Sequence, residues 1–407
     1  MQTKKSKAIK LLAQFGPGLA VMLADTEAGS VITAAQSGAR WGYRLLLLQA
    51  LIVPLLFMVQ ELAARLALGT GQGYVELIRQ RFGKMMAVVS VTTLAVSCFG
   101  TLVTELGGLA SVGQIFGVPI WQTIAALIVL ILTMVTTGAY QSVERIVILS
   151  GLFELAFLVI AWKARPDHRE VMQQLLQMPI GNHDYLYLLA ANLGTSIMPW
   201  SIFYQQSALL DKGLSLENVK AVRAEIMVGA ILCQVITAAI MIAAAASFSH
   251  NPSAMGLENV TQIADAFGTS LGMSWGHIIF CIGLSGGALI ATVLVCLTAA
   301  WAFGEVTGIH HSLEQRPLDA PWFYVAFAAM LILGGLVVVS GVSLVRLSIA
   351  MGVLNALLLP IALGFLYALA RSELRGTLQL TGVYGKLIAM TFCATSILGV
   401  YCAIAGM

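Results

Sequence analysis

The sequence predicts an all-α membrane protein of about eleven transmembrane helices. They form an inverted repeat of five plus five helices in which helices one and six are broken at membrane depth. Three observations carry this. Of the 407 residues 59% are hydrophobic and only 10% charged, with a mean hydropathy of +0.89, whereas an ordinary soluble domain carries about 25% charged residues. Apolar runs of about 20 residues, the length that spans a bilayer, follow one another along the whole chain. Two of these runs, five spans apart, are interrupted by small, polar or proline residues, which is how inverted-repeat transporters signal a binding site.

The spans expected in order are 9–35, 44–68, 87–114, 120–138, 144–163, 186–210, 223–248, 275–304, 321–342, 344–370 and 386–406. The polar stretches between them are short, the longest being 164–185 and 249–274, so residues 1–407 read as a single transmembrane domain. Repeat one covers about 9–163, repeat two about 186–370, and an extra helix follows at about 386–406. The basic start (Lys4, Lys5, Lys7, Lys10) shows no small-residue cleavage site and reads as a cytoplasmic lead-in rather than a removed signal peptide. With that end inside, sixteen of the 22 Lys and Arg fall in inner segments. The six outer ones are Arg40, Arg44, Lys163, Arg165, Arg169 and Arg346, an asymmetry that follows the positive-inside rule and places the C-terminus outside. The expected location is a bacterial inner membrane, with the lipid bilayer as solvent and the chain as a monomer.

Other classes find little support. A net charge of +3 is too small to suggest nucleic acid. The six cysteines stand singly in apolar segments without zinc or disulfide spacing, so small buried hydrophobes are the expectation. An intramembrane enzyme needs a paired constellation such as Ser/His, two Gly-Asp aspartates or His-Glu-x-x-His, and none is present. No cofactor is implied.

The most informative stretch lies in the first span, Gly16-Pro17-Gly18 through Asp25-Thr26-Glu27-Ala28-Gly29-Ser30. Carboxylates at bilayer depth are rare and mark a pore or a bound cation. Ala28-Gly29-Ser30 is small and polar, and is where the helix is expected to unwind. In the sixth span, Gly194-Thr195-Ser196-Ile197-Met198-Pro199-Trp200 sets a proline in mid-membrane, which removes a backbone donor and breaks the helix. Carbonyls released there are tolerated only where protein or a cavity satisfies them.

At these residues the chain resembles the natural resistance-associated macrophage protein (NRAMP) family of divalent metal transporters. That family opens its first helix with Gly-Pro-Gly, sets Asp-Pro-Gly-Asn eleven residues after the first glycine, and continues to a Gly-Ala-x-x-Gly-Tyr turn. Gly16-Pro17-Gly18 and Gly38-Ala39-Arg40-Trp41-Gly42-Tyr43 match both flanks. In that register Glu27 takes the place of the metal-binding aspartate and Ser30 that of the asparagine. In the sixth span Met198-Pro199 matches Ala-x-x-Met-Pro-His, with Thr195 for alanine and Trp200 for histidine. Gln60-Glu61 through Arg65 and Asn355 to Pro360 resemble the family more loosely. The resemblance implies a LeuT-like fold with a divalent cation as substrate, and metal ligands Glu27, Ser30, Thr195 and Met198; Asp25, two residues before the family tetrad, is a further candidate on its own chemistry. Proton coupling is associated in the family with histidines of the sixth helix and acids of the third. Here Trp200 and Gln205 take the histidine positions, and Thr101 and Thr104 lie nearest the aligned acids. The resemblance therefore points to a divergent branch, weakly coupled or uncoupled to protons and similar to magnesium transporters.

Glu27 is the expected principal ligand, since a hard divalent cation wants carboxylate and carbonyl oxygens. Asp25 is read as a second ligand, a vestibule charge or a gate residue. Met198 is either core filler or a soft ligand favouring manganese. Ser30, smaller than asparagine, leaves room for an ion that keeps some water, which suits magnesium. Glu105 and Glu154 line a path or make structural hydrogen bonds, and His277, His310 and His311 read as surface residues. The function expected is transport of manganese or magnesium by alternating access; the alternative is a sodium-coupled amino-acid-type transporter of the same fold.

Overall fold

A computed structural model describes residues 16–137, 149–248, 257–307 and 318–407. All regular structure among them is helical: α1 (Pro17–Ala24), α2 (Ala28–Trp41), α3 (Leu46–Thr70), α4 (Tyr74–Ile115), α5 (Ile120–Thr137), α6 (Ala156–Ala164), α7 (His168–Gln174), α8 (His183–Ser196), α9 (Pro199–Asp211), α10 (Val219–Phe248), α11 (Val260–Leu271), α12 (Met273–Thr307), α13 (Pro321–Val339), α14 (Leu344–Glu373) and α15 (Gly382–Gly406). Among the described residues nine stretches are long and apolar enough to cross a bilayer, counting α8 with α9 as one. The broken pair α1–α2 and residues 149–164 stand outside those nine. Parts of the expected first and fifth spans, with Lys4, Lys5, Lys7, Lys10 and Arg145, lie outside the described residues, as do Arg316, His310 and His311.

Most span limits fall within a few residues of expectation. The third differs: α4 begins at Tyr74, thirteen residues before 87, because Gly83 (φ 86°, ψ 174°) interrupts it and joins a shorter lead-in helix to the long span. Only glycine takes that φ without strain. The two long polar stretches also contain helices. Asp167 accepts from Arg169 N at 2.9 Å to start α7, and Asn259 accepts from Gln262 N at 2.9 Å to start α11, both as side-chain N-caps.

Burial orders the bundle from centre to rim. The α8–α9 stretch is 94% buried across its apolar window, whereas α5 is 17% buried. The broken helices form the core, and α5 shows a largely apolar outer face suited to lipid. Glycines bring the central helices into backbone contact. A side chain at Gly38 of α2 would strike the Met241 carbonyl of α10, and one at Gly194 of α8 would strike the Gly352 carbonyl of α14.

Candidate metal site at two helix breaks

The first break lies at Thr26–Glu27. Asp25 still has helical dihedrals, while Glu27 is extended (φ −70°, ψ 172°) and serves as the N-cap position of α2. This corrects the expected position of the unwinding, because Ala28-Gly29-Ser30 form the first turn of α2 instead. The reason is a contact from another helix. A helix start leaves its first N–H groups without partners, and Glu105 of α4 supplies one, accepting from Ala28 N at 2.9 Å. Small residues allow that approach, since a Cβ on Gly108 of α4 would sit 2.6 Å from the Ala28 Cβ. Gly29 in turn lets the Glu27 side chain fold back over the turn, with Oε1 only 2.9 Å from where a Gly29 Cβ would stand.

The second break lies at Ile197 (φ −131°, ψ 88°) and Met198 (φ −96°, ψ 139°), and Pro199 opens α9 as its first residue. Proline forces the residue before it out of the helical region, so this break falls where the sequence placed it. One hydroxyl joins the two breaks. Ser30 Oγ lies 2.8 Å from the Asp25 carbonyl and 3.1 Å from the Thr195 carbonyl.

All five predicted ligands are sealed from solvent, none more than 4% exposed. Both carboxylate oxygens of Asp25 and Oε2 of Glu27 lack hydrogen-bond partners among the described residues, and no basic side chain pairs with either acid. Glu27 lies against Glu105. Met198 carries an unexpected partner: Trp200 Nε1 donates to its sulfur at 3.2 Å. The structure thus brings the backbone carbonyls of Asp25 and Thr195 together on the Ser30 hydroxyl and sets Glu27 with Glu105. Among the described residues no three His, Cys, Asp or Glu gather as a metal cluster, so a cation here would rest on a few carboxylate oxygens supplemented by carbonyl and hydroxyl oxygens.

Sequence reasoning missed three contributors. Gln60 of α3 donates to Ser201 Oγ at 2.8 Å, and that hydroxyl donates to the Met198 carbonyl at 3.0 Å. Gln206 is fully buried beside Gln205, and the amides of both have no partner among the described residues. The available signal was an amide at membrane depth, as costly there as a hydroxyl. His277, expected at the surface and alone, is only 24% exposed and pairs with Asp265 of α11 at 2.8 Å. At one end of the bundle a cavity of about 480 Å³ opens between Gln36, Arg40, Asp184, Glu258 and Arg346. Elsewhere in the bundle Glu61 binds Arg65, accepts from Tyr384 Oη at 3.2 Å and lies 3.7 Å from Arg223 Nε, tying α3 to α10 and α15.

Residues 18–405 match the family model described as Natural resistance-associated macrophage protein-like. The chain is 27% identical over 301 residues to the divalent metal cation transporter MntH of Brucella suis biovar 1, covering 71% of this chain and 66% of that protein. To MntH of Agrobacterium fabrum it is 25% identical over 303 residues, covering 71% and 65%. In each case the match spans just under two thirds of the relative's length. Its fold is similar to that of the Eremococcus coleocola manganese transporter (TM-score 0.73, 18% identity, 97% of this chain and 86% of that chain). It is also similar to Mhp1, a nucleobase-cation-symport-1 family transporter (TM-score 0.61, 16% identity, 97% and 90%). At these identities the likeness is one of fold.

Proposed function

The chain belongs to the Natural resistance-associated macrophage protein-like family, and from that premise we propose that it carries divalent cations across a membrane by alternating access. The observation that carries the reading is the pair of buried acids without a basic partner, Asp25 and Glu27, at one helix break, where Ser30 joins the Asp25 carbonyl to the Thr195 carbonyl of the other. A buried carboxylate without a partner is strongly disfavoured, and a cation removes that penalty when it arrives. Glu27 is the principal ligand, Ser30 and the Thr195 carbonyl supply neutral oxygens, and Asp25 completes the negative charge.

Among divalent cations the reading favours hard ions of the magnesium type. Thioether sulfur selects softer transition ions, but the Trp200 N–H is directed at the Met198 sulfur and sets a positive end of a dipole where a cation would approach. Manganese, intermediate in softness, is carried less well. The sodium-coupled amino-acid reading loses ground, because two acids at the break would repel a substrate carboxylate. Trp200 and Gln205 cannot take up protons, so transport runs on the metal gradient and membrane potential with little or no proton coupling. The two breaks relate halves of a five-plus-five repeat in a monomer of a bacterial inner membrane, N-terminus inside and C-terminus outside.

The test is metal uptake by proteoliposomes. Glu27→Ala is expected to abolish magnesium and manganese uptake while the protein still elutes as a folded species. Uptake at the parent rate by folded Glu27→Ala protein removes the assignment.

A further inference from the structure

Beside the first break lies a second set of oxygens. Glu154 sits in a 3-10 turn, Leu152–Leu155, inserted just before α6. Such a turn within a helical run often marks a functional point. The side chain is fully buried, and neither carboxylate oxygen has a hydrogen-bond partner among the described residues. Its charged neighbours, Asp25 and Glu105, are both acids. Thr26, in the break itself, faces Glu154, and its hydroxyl donates to Cys233 Sγ at 3.4 Å. Gly287 of α12 completes the enclosure. A Cβ there would lie 3.2 Å from Glu154 Oε1 and press on the Thr26 carbonyl, so the absent side chain leaves those two oxygens facing shared space.

We propose that Asp25, Glu154 and the Thr26 carbonyl hold a second hard cation, which shares Asp25 with the one at Glu27. The donors are all oxygen, two of them anionic, which suits sodium, magnesium or calcium rather than a soft transition ion. Two neighbouring buried carboxylates in a low-dielectric interior need a positive partner, and no lysine, arginine or histidine within ion-pair distance supplies it among the described residues. The occupant would fasten the unwound segment to the Glu154 turn, in space bounded by Gly287 of α12. Because Glu27 is carried by that same segment, occupancy of either site changes affinity at the other, by equal factors in both directions. Binding at the Glu154 site stands whether or not Glu27 is the transport ligand.

The experiment uses the full chain in detergent carrying Glu27→Ala, so that loss of transport and loss of this site are read separately. Thermal unfolding is followed against sodium, magnesium or calcium chloride, with choline chloride at equal ionic strength as control. At least one of the three cations is expected to raise the midpoint saturably. Adding Glu154→Gln is expected to raise the half-saturating concentration by on the order of tenfold or more, the scale on which metal-site substitutions act, while Glu154→Asp keeps part of the response. No cation exceeding choline, or an unchanged response in Glu154→Gln, overturns the site. If Glu154→Gln does not fold, radioactive sodium-22 or calcium-45 binding to the Glu27→Ala protein decides. One ion bound per chain supports the proposal and none overturns it.

Discussion

Trp200 Nε1 and Met198 Sδ lie 3.2 Å apart, so in the proposed site ion selectivity would turn on one hydrogen. Trp200→Phe frees the sulfur and should raise manganese uptake relative to magnesium about fivefold, the equivalent of a hydrogen bond of ~1 kcal/mol. Met198→Ala should act in the opposite sense, weakening cadmium and manganese more than magnesium. Competition assays on one preparation check both, and equal effects on all ions would reduce Met198 to packing. Glu105 allows a stability prediction. Glu105→Ala leaves the Ala28 N–H buried without an acceptor, costing about 1–3 kcal/mol, whereas Glu105→Gln keeps an acceptor and should lose less. Thermal unfolding of the two variants separates them. At this scale the sequence was legible where charge met membrane, which is why Asp25, Glu27, Glu105 and Glu154 all stood out. Partners were not legible. Nothing in Met198-Pro199-Trp200 says that an indole two residues on turns back to its own sulfur, nor does spacing reveal that Glu105 reaches Ala28.

The breaks were read from elementary rules, and the rules differed in precision. Pro199 fixes the second break because its ring acts on the residue before it, whichever helix lies opposite. The first break has no proline, so its position is decided by Glu105 on another helix capping Ala28, and it falls earlier than composition suggested. Local devices decide the others: the positive φ of Gly83, and the Asp167 and Asn259 caps that start α7 and α11. The backbone contacts of the glycines yield a prediction. A methyl at Gly194 cannot fit against the Gly352 carbonyl of α14, so Gly194→Ala must push α8 outward. Overpacking of this kind typically costs about 1–3 kcal/mol. Uptake and the unfolding midpoint should both fall, whereas Gly364→Ala on α14, where an added Cβ meets nothing within 4 Å, should leave both near parent values.

For the whole molecule, fold class and family were legible in the sequence, because those depend on hydropathy and motif register. The cavity at the bundle end and the packing order were not, because they depend on many weak contacts at once. Coupling is also a property of this scale. A coupled proton needs a group on the path that binds and releases it near neutral pH, and histidine suits this best. With Trp200 and Gln205 at those positions, an imposed pH gradient should leave magnesium uptake unchanged. A pH dye inside proteoliposomes checks it: acidification that tracks uptake, and disappears in Glu105→Gln, would place the proton at the Glu27–Glu105 contact and overturn the prediction.

Burial of the proposed site bears on how an ion would be carried. With every proposed ligand at most 4% exposed, an ion held there would have no open path to solvent, and each crossing would wait for helices to move. Collective motions of that kind take microseconds to milliseconds, which caps turnover near 10³–10⁶ ions per second. Patch recordings should therefore show no unitary conductance steps at any magnesium concentration. Macroscopic flux should saturate and rise steeply with temperature, because the barrier belongs to the protein and not to the diffusing ion.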